Sequence, residues 1–145
     1  MATFSHKIST IYRCGSMYRT AHSAEKLPGI YHGYISLIHN RPGQSQDEIA
    51  KYLCLSKSSA TRHLAYLEEN GYIERRKNEA DKREMLVYPT EKLEAVVPEI
   101  FAISTDWHQT LTDGIGEEEY ALFIDILERL SERAQTIIYG GEDAQ

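Results

Sequence analysis

The sequence predicts a mostly helical chain that carries one small β-hairpin. Three observations carry that expectation. Ser45-Gln46-Asp47-Glu48 is a capping box, which starts a helix. Only Cys54 and Leu55 separate that helix from the next, so the two read as a helix-turn-helix. Tyr72 to Thr90, YIERRKNEADKREMLVYPT, then reads as two strands around a polar, basic loop.

The elements follow in order. Ile8, Ile11, Tyr12, Gly15, Tyr18 and His22 recur at helical spacing, so Phe4 to Ala24 is predicted as a first helix. Leu27-Pro28-Gly29 interrupts it. A second helix places Ile30, Tyr34, Leu37 and Ile38 on one face and stops at Asn40-Arg41-Pro42-Gly43. The third is short, with Ile49, Ala50 and Leu53 inward. Ser56 caps a fourth, Lys57 to Asn70, whose stripe is Ala60, Leu64 and Leu67, and Gly71 suits the left-handed position past its end. Strands are expected at Tyr72 to Lys77 and Arg83 to Tyr88. Thr90 caps a long fifth helix to about Leu111, and Pro98 inside it should kink it. Gly114 and Gly116 mark a turn. A sixth helix carries Tyr120, Phe123, Ile126, Leu127, Leu130, Ala134, Ile137 and Ile138, and residues 140–145 are expected to be a disordered tail.

Charge distribution says more than the total of −6. Residues 1–50 carry +2, residues 51–83 carry +3 and residues 84–145 carry −11. A local field steers a partner better than a global sum, so the basic middle is the candidate for an anionic partner. No stretch is long and apolar enough for a membrane span and the N-terminus lacks a secretory pattern, so a soluble, cytoplasmic protein is expected. Cys14 and Cys54 show no metal spacing and are expected to be free thiols, with Cys54 in the core. There is no Gly-rich phosphate loop, no nucleophile-base order and no paired carboxylate site, and the six His are scattered. The chain is therefore not read as an enzyme, and no metal or cofactor is expected.

A capped helix pair followed by a basic hairpin can grip duplex DNA with two elements, a helix in the major groove and a wing on the backbone and minor groove. With Ala60, Leu64 and Leu67 inward, Lys57, Ser58, Thr61, Arg62 and Ala65 face out, with Ser59 beside them. Small hydroxyl side chains let the helix approach, and Arg62 reaches a guanine edge or a phosphate. Ser45 and Gln46 can meet phosphate at a helix N-terminus. In the hairpin, Arg75, Arg76, Lys77, Lys82 and Arg83 supply cations. Asp81 pairs with Arg83, or with an arginine on the opposite strand, and so fixes a guanidinium suited to a narrow minor groove. The competing reading is a winged-helix module that binds only protein.

The set Gln46-Asp47-Glu48-Ile49-Ala50, Ser56-Lys57-Ser58-Ser59-Ala60-Thr61-Arg62, Leu67-Glu68-Glu69-Asn70-Gly71-Tyr72, Asp81-Lys82-Arg83 and Thr90-Glu91-Lys92 resembles the multiple-antibiotic-resistance regulator (MarR) family. The Asp-x-Arg wing at this distance from the Leu-Glu-x-x-Gly turn is its specific part. The resemblance covers nearly the whole chain. It implies a winged helix-turn-helix over 30–89 and a dimerisation region over 1–29 and 90–139. It further implies a homodimeric transcription regulator, most often a repressor, on a near-palindromic promoter site. The helix after Ser56 would enter the major groove and Arg83 the minor groove. Many members leave DNA when a small aromatic molecule binds. Pro89 and Leu93 depart from the usual pattern, which has an aliphatic residue and often a Gly there.

Two further expectations concern sensing. Tyr12, His22, Tyr31 and Tyr34 are candidates to line a pocket for a small aromatic effector. The competing reading is that such aromatic groups are core and dimer packing. Some relatives sense peroxide with a first-helix cysteine, which makes Cys14 a candidate redox site, against the plainer reading of a small buried hydrophobe.

Overall fold

The computed structural model describes residues 3–140. Six helices and a three-stranded antiparallel sheet follow in the order α1 (Phe4–His22), α2 (Ile30–Asn40), β1 (Gln44–Ser45), α3 (Gln46–Tyr52), α4 (Lys57–Glu69), β2 (Ile73–Lys77), β3 (Met85–Pro89), α5 (Glu91–Leu111) and α6 (Glu117–Tyr139). The tail expected at 140–145 lies, from 141 on, outside the described residues. Packing divides the chain into two compact units at Trp107, inside α5.

The first unit holds the core. Tyr34, Ile35 and Ile38 of α2, Ile49 of α3, Leu64 and Leu67 of α4, Val87 of β3 and Leu93 of α5 are fully enclosed. The expected α4 stripe of Ala60, Leu64 and Leu67 is buried as its spacing requires. On α5 the buried set is Leu93, Val97, Ile100 and Ile103, with Pro98 beside it inside the helix. Leu93 occupies a core position, which accounts for an apolar residue there.

Caps set the boundaries. The Ser45 box is present in both directions: the Glu48 amide donates to Ser45 Oγ at 3.1 Å and the Ser45 amide to Glu48 Oε2 at 3.2 Å. Ser56 Oγ accepts from the Ser59 amide at 3.2 Å and starts α4. At the other end the Gly71 amide bonds to the Glu68 carbonyl and the Tyr72 amide to the Leu67 carbonyl, with Gly71 at φ +80. That is a Schellman end, and its left-handed residue is the reason for glycine. Thr90 works at both sides of the next junction, since its hydroxyl donates to the Gly71 carbonyl at 2.6 Å and accepts from the Leu93 amide at 3.3 Å.

The sheet order is β1-β3-β2. β2 and β3 form the expected hairpin, with Arg75 opposite Val87 and Arg76 opposite Leu86. β1 adds Gln44 opposite Val87 and Ser45 opposite Leu86. Pro89 falls at the end of β3, beyond the β1 pairing.

Two observations correct or extend the sequence reading. Cys54 is exposed, not core. It adopts φ +55 in the helix-turn-helix, a left-handed conformation that turns its side chain outward. Gly29, by contrast, is buried against α1: a Cβ there would meet the Ser16 carbonyl oxygen at 2.2 Å. The Thr20 hydroxyl accepts from the Gly29 amide at 2.7 Å and donates to the Ser16 carbonyl at 2.9 Å, so it links the two backbones beside their direct contact.

The second unit is dominated by α6, which buries no residue. Leu122, Phe123, Ile126, Leu130 and Ile137 remain exposed. Three glutamates occupy its first turn, where the helix dipole favours them. Within this unit His108 meets the Tyr120 ring edge-on at 5.3 Å.

Candidate nucleic-acid interface and adjoining cavity

The outward face of α4 matches its sequence pattern. Lys57, Ser58, Thr61 and Arg62 are exposed, whereas Ser59 and Ala65 are half-buried. Thr61 returns its hydroxyl to the Lys57 carbonyl at 2.8 Å, which turns its methyl outward. Arg62 Nη2 donates to Ser59 Oγ at 3.3 Å, and Lys57 lies 3.4 Å from Asp47. Both links are exposed and weak, so both cations remain available.

The wing cations fall into two groups. Arg83 is 96% exposed. Asp81 Oδ1 accepts from the Arg83 amide at 3.0 Å and lies 3.9 Å from its Nε, so the carboxylate fixes the backbone of Arg83 more than its guanidinium. Lys77 and Lys82 are exposed. Arg76 stacks over Tyr88 at 4.3 Å and bonds to Glu74 at 2.9 Å.

Arg75 differs. Its Nε and Nη2 bind Glu68 at 3.1 and 2.8 Å, and its Nη1 donates to Gln46 Oε1 at 2.9 Å. One guanidinium therefore ties β2 to α4 and to the start of α3. The bidentate bond holds the Glu68 carboxyl below its ordinary range and raises the Arg75 pKa. Strand parity carried the signal, since Arg75 shares a face with Ile73, which is buried. Ser45 is likewise turned in. It is 3% exposed and its hydroxyl caps α3, so the expectation that it meets phosphate is corrected for its side chain.

A cavity of about 300 Å³ adjoins the helix-turn-helix. α1 contributes Tyr12 and Arg19, Gly29 and the start of α2 contribute one side that includes His32, Gly33, Tyr34 and Ser36, Leu53 and Leu55 come from the turn, and α5 contributes Ile100 and Ser104. Of the four expected lining residues, Tyr12 and Tyr34 are there. His22 is stacked on Tyr18 at 3.8 Å, and Tyr31 on Tyr66 at 4.4 Å, so neither lines it. His32 and Arg19 were missed. The signal was the small and polar stripe Gly29, His32, Gly33 and Ser36 along α2, which reads as a lining only once α1 is in place.

Tyr34 joins the cavity to α4. Its hydroxyl lies 2.9 Å from His63 Nδ1, next in sequence to Arg62. Burial pushes the Tyr34 hydroxyl up to about 12 and lowers the His63 pKa, the latter helped by Arg62, so the pair is neutral at neutral pH. Cys14 is exposed on α1, which sets aside the buried-hydrophobe reading. Among the described residues no group of three potential metal ligands occurs, and no helix is long and apolar enough to cross a membrane.

Residues 33–85 match the MarR family model, a span that holds the helix-turn-helix and most of the wing. The fold agrees over nearly the full length. The crystal structure of MarR superposes with a TM-score of 0.83 at 27% identity, covering 93% of this chain and 92% of that one. The chain is thus similar to the MarR family over residues 33–85 and shares the fold of its solved members. The transcriptional regulator SlyA matches with a TM-score of 0.83 at 26% identity, covering 89% of this chain and 92% of its own. A putative MarR family transcriptional regulator from Listeria monocytogenes, solved in complex with a 26mer DNA, shares the fold at 0.82, with 23% identity and full coverage of both chains. The chain thus has the winged helix-turn-helix fold of these transcriptional regulators.

Proposed function

We propose that this chain binds duplex DNA sequence-specifically as a homodimer, represses from a near-palindromic site and is released by a small aromatic ligand. The observation that carries the reading is the division of labour among the cations. Lys57 and Arg62 on α4 and Lys77, Lys82 and Arg83 on the wing face outward, while Arg75 fixes the wing relative to α3 and α4. Two reading elements held at a fixed angle suit one major groove and the minor groove beside it. The Listeria relative in complex with DNA supports the same use of the fold.

A homodimer is supported by apolar surface. α6 leaves Phe123, Ile126, Leu130 and Ile137 uncovered, and α1 leaves Phe4, Ile8 and Ile11 uncovered. Stripes of that length on helices of a water-soluble chain call for a partner surface. Ligand release is supported by the cavity and by the Tyr34–His63 bond from its wall to α4.

The test is fluorescence anisotropy on DNA from upstream of the protein's own gene, against a scrambled duplex, across a salt series. Tighter binding to the native fragment with a steep salt slope is expected. Arg62→Ala should lose about 1–3 kcal/mol of discrimination at one base pair. Failure to bind either duplex at low salt would overturn the reading.

A further inference from the structure

His63, on α4, is held from behind by two tyrosines. It is half-buried beside Arg62, on the side of the helix that also carries Ser59 and Tyr66. Those four residues fall at i, i+3, i+4 and i+7, which is one face of a helix. Tyr31 and Tyr34 of α2 meet the His63 ring edge-on, with centroids 5.7 and 5.5 Å away. Tyr31 in turn stacks on Tyr66 at 4.4 Å, one turn further along α4. The imidazole is therefore fixed in direction.

The bond to Tyr34 decides where the ring carries its hydrogen. Tyr34 is buried, and among the described residues its hydroxyl has one partner, His63 Nδ1 at 2.9 Å. A buried hydroxyl hydrogen without an acceptor is costly, so the phenol donates and Nδ1 accepts. Burial, helped by Arg62, lowers the His63 pKa, and the ring is neutral at neutral pH. A neutral imidazole has one hydrogen on nitrogen, which then sits on Nε2. Nε2 lies across the ring from Nδ1. It has no hydrogen-bond partner among the described residues and is not enclosed. The outcome is an N–H donor of fixed direction, open to solvent, next to Arg62.

We infer that His63 contacts DNA: Tyr34 holds the ring as its Nε2–H tautomer, and that N–H donates to a phosphate oxygen bordering the groove that α4 enters. This rests on the DNA-binding reading and adds to it a residue outside the set of cations. A half-buried, pinned ring has little reach, so it meets the rim of a groove and not the base edges on its floor. Phosphate oxygens line that rim, and most contacts that set the register of a protein on a duplex go to them. Tyr34, buried behind the ring, is a positioning residue. Protonation of His63 would put a second hydrogen on Nδ1 and leave the Tyr34 hydroxyl hydrogen without an acceptor, so the ring makes the contact in its neutral form. A neutral donor releases no counterion, which separates this contact from those of the lysines and arginines around it.

The experiment is fluorescence anisotropy of the full chain on native and scrambled duplexes across a salt series, with His63→Ala, His63→Gln and Tyr34→Phe. His63→Ala should bind the native duplex about tenfold more weakly at every salt concentration, with the slope of log affinity against log salt unchanged. His63→Gln, whose amide can place an N–H near the Nε2 position, should recover most of the loss. Tyr34→Phe should lose less than His63→Ala, because it frees the tautomer and keeps the ring. Duplexes with one neutral methylphosphonate at each position in turn should reveal a phosphate whose replacement weakens the wild type and leaves His63→Ala unaffected. Nitrogen-15 NMR of the wild-type imidazoles, with His63 assigned by its contacts to the Tyr31 and Tyr34 rings, should show Nε2–H before and after DNA is added. That spectrum stands even where a variant fails to fold. Wild-type affinity in His63→Ala, or a salt slope lowered by about one, overturns the inference and leaves the DNA-binding reading intact. An Nδ1–H ring in the wild type also overturns it. Wild-type protein that binds neither duplex overturns both.

Discussion

Leu64 and Phe123 both stand at helix positions spaced for burial, and they meet opposite surroundings. Leu64, on α4, is wholly enclosed by the core of the first unit. Phe123, on α6, is 50% exposed in a helix that buries nothing. The same heptad-like pattern therefore means two things in one chain. In the first unit the apolar stripe closes against the chain's own α2, β3 and α5 residues. In the second it stays open for another surface. Periodicity reports that a face needs covering and is silent on what covers it.

The largest expected effect breaks the comparison at Leu64. Leu64→Ala should cost about 3 kcal/mol in chemical denaturation, because it opens a cavity in an enclosed core. That loss should be the same at every protein concentration. Phe123→Asp should act in the other way. Its effect should appear as a shift to monomer in sedimentation, with a melting temperature that no longer rises with concentration. A concentration-dependent loss at Leu64, or none at Phe123, would erase the distinction.

Two arginines sharpen the same contrast inside the lobe. Arg75→Ala removes a bidentate bond and leaves Glu68 without its partner, so stability should fall by about 1–3 kcal/mol. Arg83→Ala should leave stability within about 0.5 kcal/mol. It should instead weaken DNA binding and lower the slope of log affinity against log salt by about one. Equal effects of the two on the melting temperature would refute the assignment.

The smallest effect is a pH dependence. Glu68 titrates below its ordinary value in the folded chain, so its contribution is complete above the unfolded value near 4.5 and is lost as pH falls through the folded value. Acid unfolding should therefore begin at lower stability in Glu68→Gln, whose profile should be flatter below about pH 4.5. More than a third of the Glu68 side chain is exposed, so solvent screens the effect.

Legibility in the sequence tracked the range of the interaction. The α3 and α4 starts and the α4 end were readable because Ser45, Glu48, Ser56 and Gly71 act within three or four residues of themselves. β1 was not, since two residues become a strand only by pairing with Leu86 and Val87, some forty positions away. A tally of positive charge grouped Arg75 with Arg83, although strand parity puts Arg75 on the face of buried Ile73 and Arg83 lies in the loop before β3. Cys54 was assigned inward by its chemistry, and the left-handed turn sends it out. The cavity was half legible. Tyr12 and Tyr34 stood out as aromatic, whereas Arg19 and His32 come together only through the crossing of α1 on α2.

That crossing has its own consequence. At Gly29 the start of α2 rests on the Ser16 carbonyl with no side chain between them. Side chains are the soft part of a helix contact, because rotamer changes let them yield. Here nothing yields, so a tilt of α1 at Ser16 is carried stiffly into the first turn of α2, and from there to Tyr34 little more than one turn later. The joint is a fulcrum: the outer arm and the wall of the cavity move together or not at all.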